Sequence, residues 1–98
     1  MSVIYIAGPI TDRNDYHLFF NRAADNFTAL GNIVFNPATM PIGLPHDAYM
    51  PICYAMMDAC DTVYFMHGWG KSKGAVLEYN YAIAKGMKLM FEEGESDG

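Results

Sequence analysis

The segment KGAVLEYNYAIAKG, residues 73–86, places a carboxylate inside a helical pattern of apolar residues. Apolar side chains recur at helical spacing on both sides of Glu78, which follows a glycine-rich loop. The helix dipole stabilises a carboxylate in the first turns, so Glu78 can be a solvated surface charge. A carboxylate held at the mouth of a pocket can instead act as a nucleophile or general base. The local pattern leaves both interpretations open.

A second candidate is the segment GPITDR, which follows an apolar run near the start of the chain. Gly8 lets the backbone approach a ligand closely, and Thr11 and Arg13 can hold a phosphate. Pro9 and Ile10 complete this candidate ligand loop. The segment lacks the GxGxxG fingerprint of dinucleotide sites, and an ordinary β–α turn is the alternative.

The third candidate is the glycine-rich loop HGWGKSKG, residues 67–74. It has the composition of a phosphate loop but not the spacing GxxxxGK[ST]. Ser72 and the backbone N–H groups near Gly74 can still bind an anion, although a flexible loop explains the composition equally well. Trp69 can stack on a base or pack against the loop itself.

The remaining polar groups carry weaker signals. Asp61 falls where a helix turns into a strand, and we expect it to cap that turn. The three histidines show no metal spacing, and we predict neither a metal nor an organic cofactor. Cys53 and Cys60 lie about two turns apart on one predicted helix, too far for a disulfide, and indicate free thiols in a reducing cytoplasm.

The composition limits the function classes. The chain has 98 residues, 52% of them hydrophobic, which indicates one globular domain. A net charge of −5 with six Lys and Arg gives no basic patch, so we expect no nucleic-acid partner. No apolar stretch approaches the roughly 20 residues of a membrane span, and the N-terminus lacks a signal-peptide pattern. We therefore expect a cytoplasmic protein that does not bind a membrane.

Strands and helices alternate along the sequence. The patterns predict strands at 3–8, 32–37, 62–66 and 87–91, and helices at 16–30, 48–60 and 73–85. We expect the first helix to bury a stripe made of Leu18, Phe19, Ala23, Phe27 and Leu30. The alternation predicts one α/β domain over residues 1–91, a parallel sheet in the order 2-1-3-4 with helices on both faces. Residues 92–98 are predicted to form an acidic disordered tail.

This strand order predicts where a ligand binds. Ligands of such sheets lie beyond the carboxyl ends of the strands, at the point where neighbouring connections diverge. In the order 2-1-3-4 that point lies between the first and third strands. The loops GPITDRND and HGWGKSKG meet there, and Glu78 leaves the second loop toward it.

Three segments resemble a known family: YIAGPITDR, DACDTVYF and SKGAVLEYNYAIAKGMKLM. They are similar to the nucleoside 2-deoxyribosyltransferase superfamily, and within it to the 2'-deoxynucleoside 5'-phosphate N-hydrolases. Small phage and bacterial proteins of the DUF4406 type match most closely. The resemblance covers roughly residues 3–91. It implies a flavodoxin-like or Rossmann-like fold and cleavage of the N-glycosidic bond of a deoxynucleoside or its monophosphate.

The resemblance assigns roles residue by residue. Glu78 matches the glutamate that attacks C1' and forms a covalent deoxyribosyl intermediate, and Tyr5 matches a tyrosine beside it. Gly8 matches the loop glycine. Ser72 stands where the transferases tend to have an aspartate and the monophosphate hydrolases a serine that contacts the 5'-phosphate. A serine can donate to phosphate, whereas an aspartate repels it, so Ser72 favours a nucleotide substrate.

The sequence departs from the family in two places. The family's second acidic residue, which assists the leaving base, falls on Cys53, and Asp58 is the nearest possible substitute. The family also completes each site with a polar residue of a neighbouring subunit after the fourth strand, where this chain offers little. We expect a homodimer or higher oligomer, with Tyr54, Met56 and Met57 as interface candidates. A protein that binds or sequesters a nucleotide without turnover is the alternative to an enzyme.

Overall fold

The computed structural model describes residues 1–10 and 15–94. Within these residues four strands alternate with three α-helices. The strands are β1 (Val3–Ala7), β2 (Ile33–Phe35), β3 (Thr62–Phe65) and β4 (Lys88–Phe91), and the helices are α1 (Tyr16–Ala29), α2 (His46–Asp58) and α3 (Lys73–Lys85). Short 3-10 turns at Pro37–Thr39 and Trp69–Lys71 precede α2 and α3. Helix α2 begins before the predicted residue 48, because the extended Pro45 ends the loop and Asp47 occupies the first turn.

The four strands form one parallel sheet in the order β2-β1-β3-β4. This confirms the predicted α/β fold and strand order. β1 and β3 are neighbours, with Tyr5 opposite Val63 and Ala7 opposite Phe65. The chain leaves β1 toward α1 and leaves β3 toward α3, so the crevice between these connections lies at the carboxyl ends of the two strands.

Helices cover both faces of the sheet, as predicted. Successive side chains of a strand point to opposite faces, so β1 contributes to two cores. Ile4 and Ile6 pack with Phe20 of α1 and with Met66. Tyr5 and Ala7 face the other way; their core contains buried residues of β3, α2 and α3: Val63, Phe65, Cys53, Met57, Ala75 and Ala82. This alternation places the Tyr5 side chain on the face covered by α2 and α3.

The buried stripe of α1 differs from the prediction. Phe20 is the buried residue of this helix, and Ala23 and Phe27 pack against the same cluster. Their spacing of three and seven residues keeps them on one side of the helix. Leu18, Phe19 and Leu30 were wrongly assigned to that side and are exposed by 58%, 41% and 77% of their surface. Leu18 precedes Phe20 by two positions, which places it on the opposite side of the helix.

Polar contacts fix both ends of the sheet. At the start of β3, the Asp61 carboxylate accepts hydrogen bonds from the Thr62 hydroxyl at 2.6 Å and the Val3 N–H at 3.0 Å. These bonds lower the pKa of Asp61, which has the structural role predicted for it. After β4, the Glu92 N–H donates to the Phe65 carbonyl at 2.8 Å, and the Glu92 carboxylate accepts from the His67 N–H at 2.9 Å.

The acidic tail predicted from residue 92 therefore does not begin at Glu92, which continues the bonding pattern of β4. Residues 95–98 lie outside the described part of the chain. Among the described residues, none of the helices has the length and apolar character needed to cross a membrane.

Candidate active site

Glu78 lies on the buried side of α3. Its exposed fraction is 4%, and it shares a helical stripe with the buried Ala75 and Ala82. Small neighbours on both sides leave room for a carboxylate against the sheet. The interpretation of Glu78 as a solvated surface charge is therefore wrong.

The Tyr5 hydroxyl donates a hydrogen bond to Oε2 of Glu78. Tyr5 is fully buried in the middle of β1, so the sheet fixes the position of the phenol. Burial and the neighbouring Glu78 charge raise the pKa of Tyr5 well above its ordinary value. The phenol consequently keeps its proton and acts as a hydrogen-bond donor.

Burial raises the pKa of Glu78 from 4.5 to about 7. The Tyr5 hydrogen bond, and to a smaller extent the Cys53 thiol, act in the opposite direction, because they stabilise the charged form. Near neutral pH the group therefore exists both as a carboxylic acid and as a carboxylate. Such a carboxyl can serve as nucleophile, acid or base under physiological conditions.

Helix α2 supplies two protonated groups next to this pair. Cys53 is fully buried, and burial raises the pKa of its thiol to about 11. Tyr49, about one turn earlier on α2, is mostly buried, and its pKa is raised for the same reason. Both side chains are therefore neutral at physiological pH.

A cavity of about 330 Å³ opens above Glu78 at the carboxyl ends of β1 and β3. Its lining comes from the end of β1, the start of α2 and the start of α3. The lining residues are Gly8, Ile10, Leu44, His46, Tyr49, Met50, Ser72, Lys73, Gly74, Ala75 and Glu78. This is the switch point at which the sequence predicts a ligand. Five of the predicted site residues line it: Gly8, Ile10, Ser72, Gly74 and Glu78.

Ser72 and Gly8 have structural roles at the rim of this cavity. The Ser72 hydroxyl caps α3 by accepting a hydrogen bond from the Ala75 N–H at 3.3 Å. A Cβ on Gly8 would lie 2.7 Å from the Met66 methyl group, so glycine permits close packing of β1 against the loop after β3. Both residues thereby shape the cavity entrance.

Two predicted contacts lie elsewhere, and two fall outside the described residues. Pro9 lines a separate cavity of about 200 Å³ on the α1 side of the sheet. Trp69 is buried with its ring centroid 4.9 Å from those of Phe65 and Tyr79, so it packs in an aromatic core and does not line the Glu78 cavity. Thr11 and Arg13 lie outside the described residues.

The Asp58 carboxylate lies away from Glu78. It accepts a hydrogen bond from the Tyr81 hydroxyl at 2.6 Å and lies 4.0 Å from Lys85 Nζ. The reason is the direction of α2. This helix runs back toward the edge where the strands begin, and Asp58 lies about 7 Å farther along it than Cys53. Whether Asp58 replaces the family acid was left open by the sequence, and its contacts with Tyr81 and Lys85 place its carboxylate away from Glu78.

The fold is similar to that of a solved structure, the 2-desoxiribosyltransferase from Leishmania mexicana. The TM-score is 0.74 at 22% sequence identity, over 93% of this chain and 63% of that chain. The fold is therefore deoxyribosyltransferase-like, and the chain spans less than two thirds of that protein's structure. The Domain of unknown function (DUF4406) family matches residues 2–91. The chain belongs to the DUF4406 family. No curated protein sequence matches it.

In this DUF4406 chain, four residues line the cavity that were not predicted from the sequence. Leu44, His46, Tyr49 and Met50 line the cavity but belong to the proline-rich loop and the first turns of α2. That loop has no period, so the sequence gives no direction for its side chains. The length of the loop was the one signal that it serves a site.

The burial of residues in this DUF4406 chain also decides which of the predicted interface residues are accessible to a second subunit. Met57 is fully buried inside the subunit, so its assignment to an interface is wrong. Tyr54 stacks on Tyr81 with ring centroids 4.3 Å apart, and both Tyr54 and Met56 are partly buried. In the described residues, no group of three acidic, histidine or cysteine side chains is arranged to hold a metal ion.

Proposed function

We propose that the protein is an N-glycosidase that cleaves the N-glycosidic bond of a 2'-deoxynucleoside 5'-monophosphate through a covalent Glu78 intermediate. The observation that carries this proposal is the buried Glu78 carboxyl, hydrogen-bonded by Tyr5 on the floor of a cavity at the switch point of the sheet. A carboxylate that is held by a hydrogen-bond donor and faces a ligand cavity is placed to act as a nucleophile.

The reaction follows from this position. A Glu78 oxygen bonds to C1' of the sugar while the C1'–N bond breaks and its electron pair leaves with the base. Water then attacks C1', which releases the Glu78 carboxylate and deoxyribose 5-phosphate, in the two-step logic of retaining glycosidases. A second base in place of water gives transfer instead. The name of the Leishmania mexicana protein, a desoxiribosyltransferase, supports this class of chemistry.

The start of α3 supports a phosphate-bearing substrate. Ser72, Lys73 and Gly74 line the cavity at the N-terminus of this 13-residue helix. Free backbone N–H groups and the positive end of the helix dipole favour an anion there, and the Lys73 ammonium adds a charge. The 5'-phosphate is therefore proposed to lie at this end, with C1' over Glu78.

The test is release of free base from each of the four deoxynucleoside monophosphates, followed by chromatography. Glu78→Gln should abolish release, whereas the exposed Glu93→Gln, a matched control, should leave it unchanged. Mass spectrometry of acid-quenched wild-type protein should detect a deoxyribosyl phosphate adduct on Glu78. Base release that persists in Glu78→Gln would contradict the covalent mechanism.

One observation favours a second candidate function, nucleotide binding without turnover. Glu78 is the one carboxylate among the described residues that line the cavity, and the position to which the resemblance assigns the second acid holds Cys53, whose pKa is raised by burial. Calorimetric binding of a deoxynucleoside monophosphate without any base release, retained in Glu78→Gln, would support this candidate over the enzyme.

Two further expectations belong to the proposal. The two free cysteines favour a reducing compartment such as the cytoplasm. Ile52 of α2 and Ile83 of α3 are exposed by 42% and 53%, which supports a homodimer or higher oligomer through these helices. Light scattering that gives a monomer at micromolar concentration would contradict the oligomer.

A further inference from the structure

Departure of a nucleobase requires a proton, because the base otherwise leaves as an unstable anion. In the proposed function, Glu78 is consumed as the nucleophile and cannot supply this proton. The cavity therefore needs a second proton donor, and neither Cys53 nor Asp58 provides it. The inference below rests on the proposed function and identifies that donor.

Helix α2 carries a stripe of side chains, of which His46 and Tyr49 line the cavity and Cys53 lies in the core. His46, Tyr49 and Cys53 follow one another at spacings of three and four residues, which places them on one side of the helix. Cys53 interacts with Glu78 at the floor, whereas the exposed His46 lines the cavity in the first turn of α2. His46 and Cys53 are about 10 Å apart along the helix axis, so His46 lies well away from the Cys53 position on α2.

The chemistry of these three groups differs. Burial raises the pKa of both Cys53 and Tyr49, so they keep their protons and serve only as hydrogen-bond donors. Histidine is the side-chain type that gains and loses a proton near neutral pH. Among the described residues, the other titratable groups lining the cavity are Lys73 and Glu78, and Asp47 follows His46 in the first turn of α2. Lys73 belongs to the start of α3, the proposed phosphate end.

We infer that His46 is the general acid that protonates the leaving base and then the general base that activates the attacking water. In the first step the imidazolium gives its proton to a base nitrogen while the C1'–N electron pair moves to the base and Glu78 bonds to C1'. In the second step the neutral imidazole takes a proton from water as the water oxygen bonds to C1' and the Glu78 carboxylate departs. The sum is nucleotide plus water to free base plus deoxyribose 5-phosphate.

Leaving groups that need no proton test this role. The N7-methylated base of 7-methyl-dGMP is already cationic in the nucleotide and departs neutral, whereas the base of dGMP requires protonation. His46→Asn should lower kcat/KM for dGMP by about 10²- to 10⁴-fold, the usual contribution of a general acid. The same variant should lower it by less than about threefold for 7-methyl-dGMP, after subtraction of spontaneous depurination. For a pyrimidine-selective protein, dUMP and the more acidic 5-fluoro-dUMP give the same comparison.

The controls separate this inference from the function on which it rests. His17→Asn, an exposed histidine of α1 outside the cavity lining, should leave both substrates unaffected. Because His46 is exposed, His46→Asn should keep the wild-type melting temperature. Equal losses on both leaving groups, or no loss on either, would overturn the role of His46 while leaving the Glu78 reaction intact. If wild-type protein releases base from no nucleotide, the proposed function and this inference fail together.

Discussion

The Tyr5 hydroxyl, from the middle strand pair of the sheet, donates a hydrogen bond to the Glu78 carboxylate of α3, 73 residues later in the chain. The bond joins the sheet to helix α3 at the floor of the cavity. It holds one carboxylate oxygen and stabilises the charged form, whereas burial destabilises that form and raises the pKa of Glu78 to about 7. This balance controls how much nucleophile is present at a given pH.

Removal of the Tyr5 hydroxyl should shift the pH dependence of the proposed reaction. Tyr5→Phe keeps the ring but removes a donor to the charged form of Glu78, so the pKa of Glu78 should rise further. The acidic limb of kcat/KM should then move to higher pH by about one unit, with a loss of roughly tenfold at pH 6. The measurement is the pH profile of base release, together with carbon NMR titration of the Glu78 carboxyl.

Tyr64→Phe is the matched control, because Tyr64 lies on β3 and packs against Phe27 on the face covered by α1. It should leave the acidic limb unchanged. A Tyr5→Phe profile that coincides with that of wild type would show that the Tyr5 bond does not control ionisation of Glu78.

Glu78→Gln should make the folded protein more stable in mild alkali. The folded-state pKa of Glu78 is raised from 4.5 to about 7, so folding favours the protonated form. The stability contributed by Glu78 is therefore complete below pH 4.5 and is lost as the pH rises through about 7. At 1.36 kcal/mol per pKa unit, the loss amounts to about 3 kcal/mol, which the neutral glutamine avoids.

Urea unfolding at pH 5 and pH 8 measures this effect. The free energy of unfolding of wild-type protein should fall between the two values, whereas that of Glu78→Gln should change much less. The exposed Glu93→Gln should follow wild type. Wild-type stability that rises with pH over this interval would contradict burial of an ionisable Glu78.

The sequence predicts the order of elements and the strand order because both depend on local periodicity and on general rules of chain connection. It also predicts the edge of the sheet where the cavity opens. The burial of Glu78 was left open, because the helical pattern shows which residues share a side but not what covers that side. The role of Tyr5, which holds Glu78 by a hydrogen bond, was predicted from the family resemblance and not from the sequence pattern.

The sequence left a role open, or missed it, where a side chain's direction depends on packing between distant segments. Trp69 had two alternatives, stacking on a base or packing, and it packs against Phe65, Tyr79 and Phe91. His46 and Tyr49 were missed, because the loop before α2 has no period from which an inward direction follows. The role of Asp58 was left open, because its distance in sequence from Cys53 does not show that α2 carries it away from the cavity.

Ser72 should affect stability and substrate choice separately. Ser72→Ala removes the cap of α3 and should cost about 1 kcal/mol of unfolding free energy. Ser72→Asp keeps a capping oxygen, and should therefore retain most of the stability, but it places a negative charge at the proposed phosphate end of the cavity. The ratio of kcat/KM for a deoxynucleoside monophosphate to that for the free deoxynucleoside should fall by at least tenfold in Ser72→Asp.

Thermal melting and the two rate constants are measured side by side for both variants. Ser72→Ala is the control for loss of the hydroxyl without added charge, and it should change the ratio less than Ser72→Asp does. A ratio that is the same in Ser72→Asp and in wild type would place the phosphate away from the start of α3.

Asp58→Asn should leave the proposed chemistry unchanged. The carboxylate of Asp58 bonds to Tyr81 and neighbours Lys85 at the edge of the sheet where the strands begin, so it contacts neither the cavity nor Glu78. The amide oxygen of asparagine can still accept the Tyr81 bond, and an exposed ion pair contributes little, so unfolding free energy should change by less than about 1 kcal/mol. Base release should remain within about twofold of wild type, since a general acid or base would contribute 10²- to 10⁴-fold. A loss of that size, with the melting temperature preserved, would return Asp58 to the catalytic site and contradict the separation of Asp58 from Glu78.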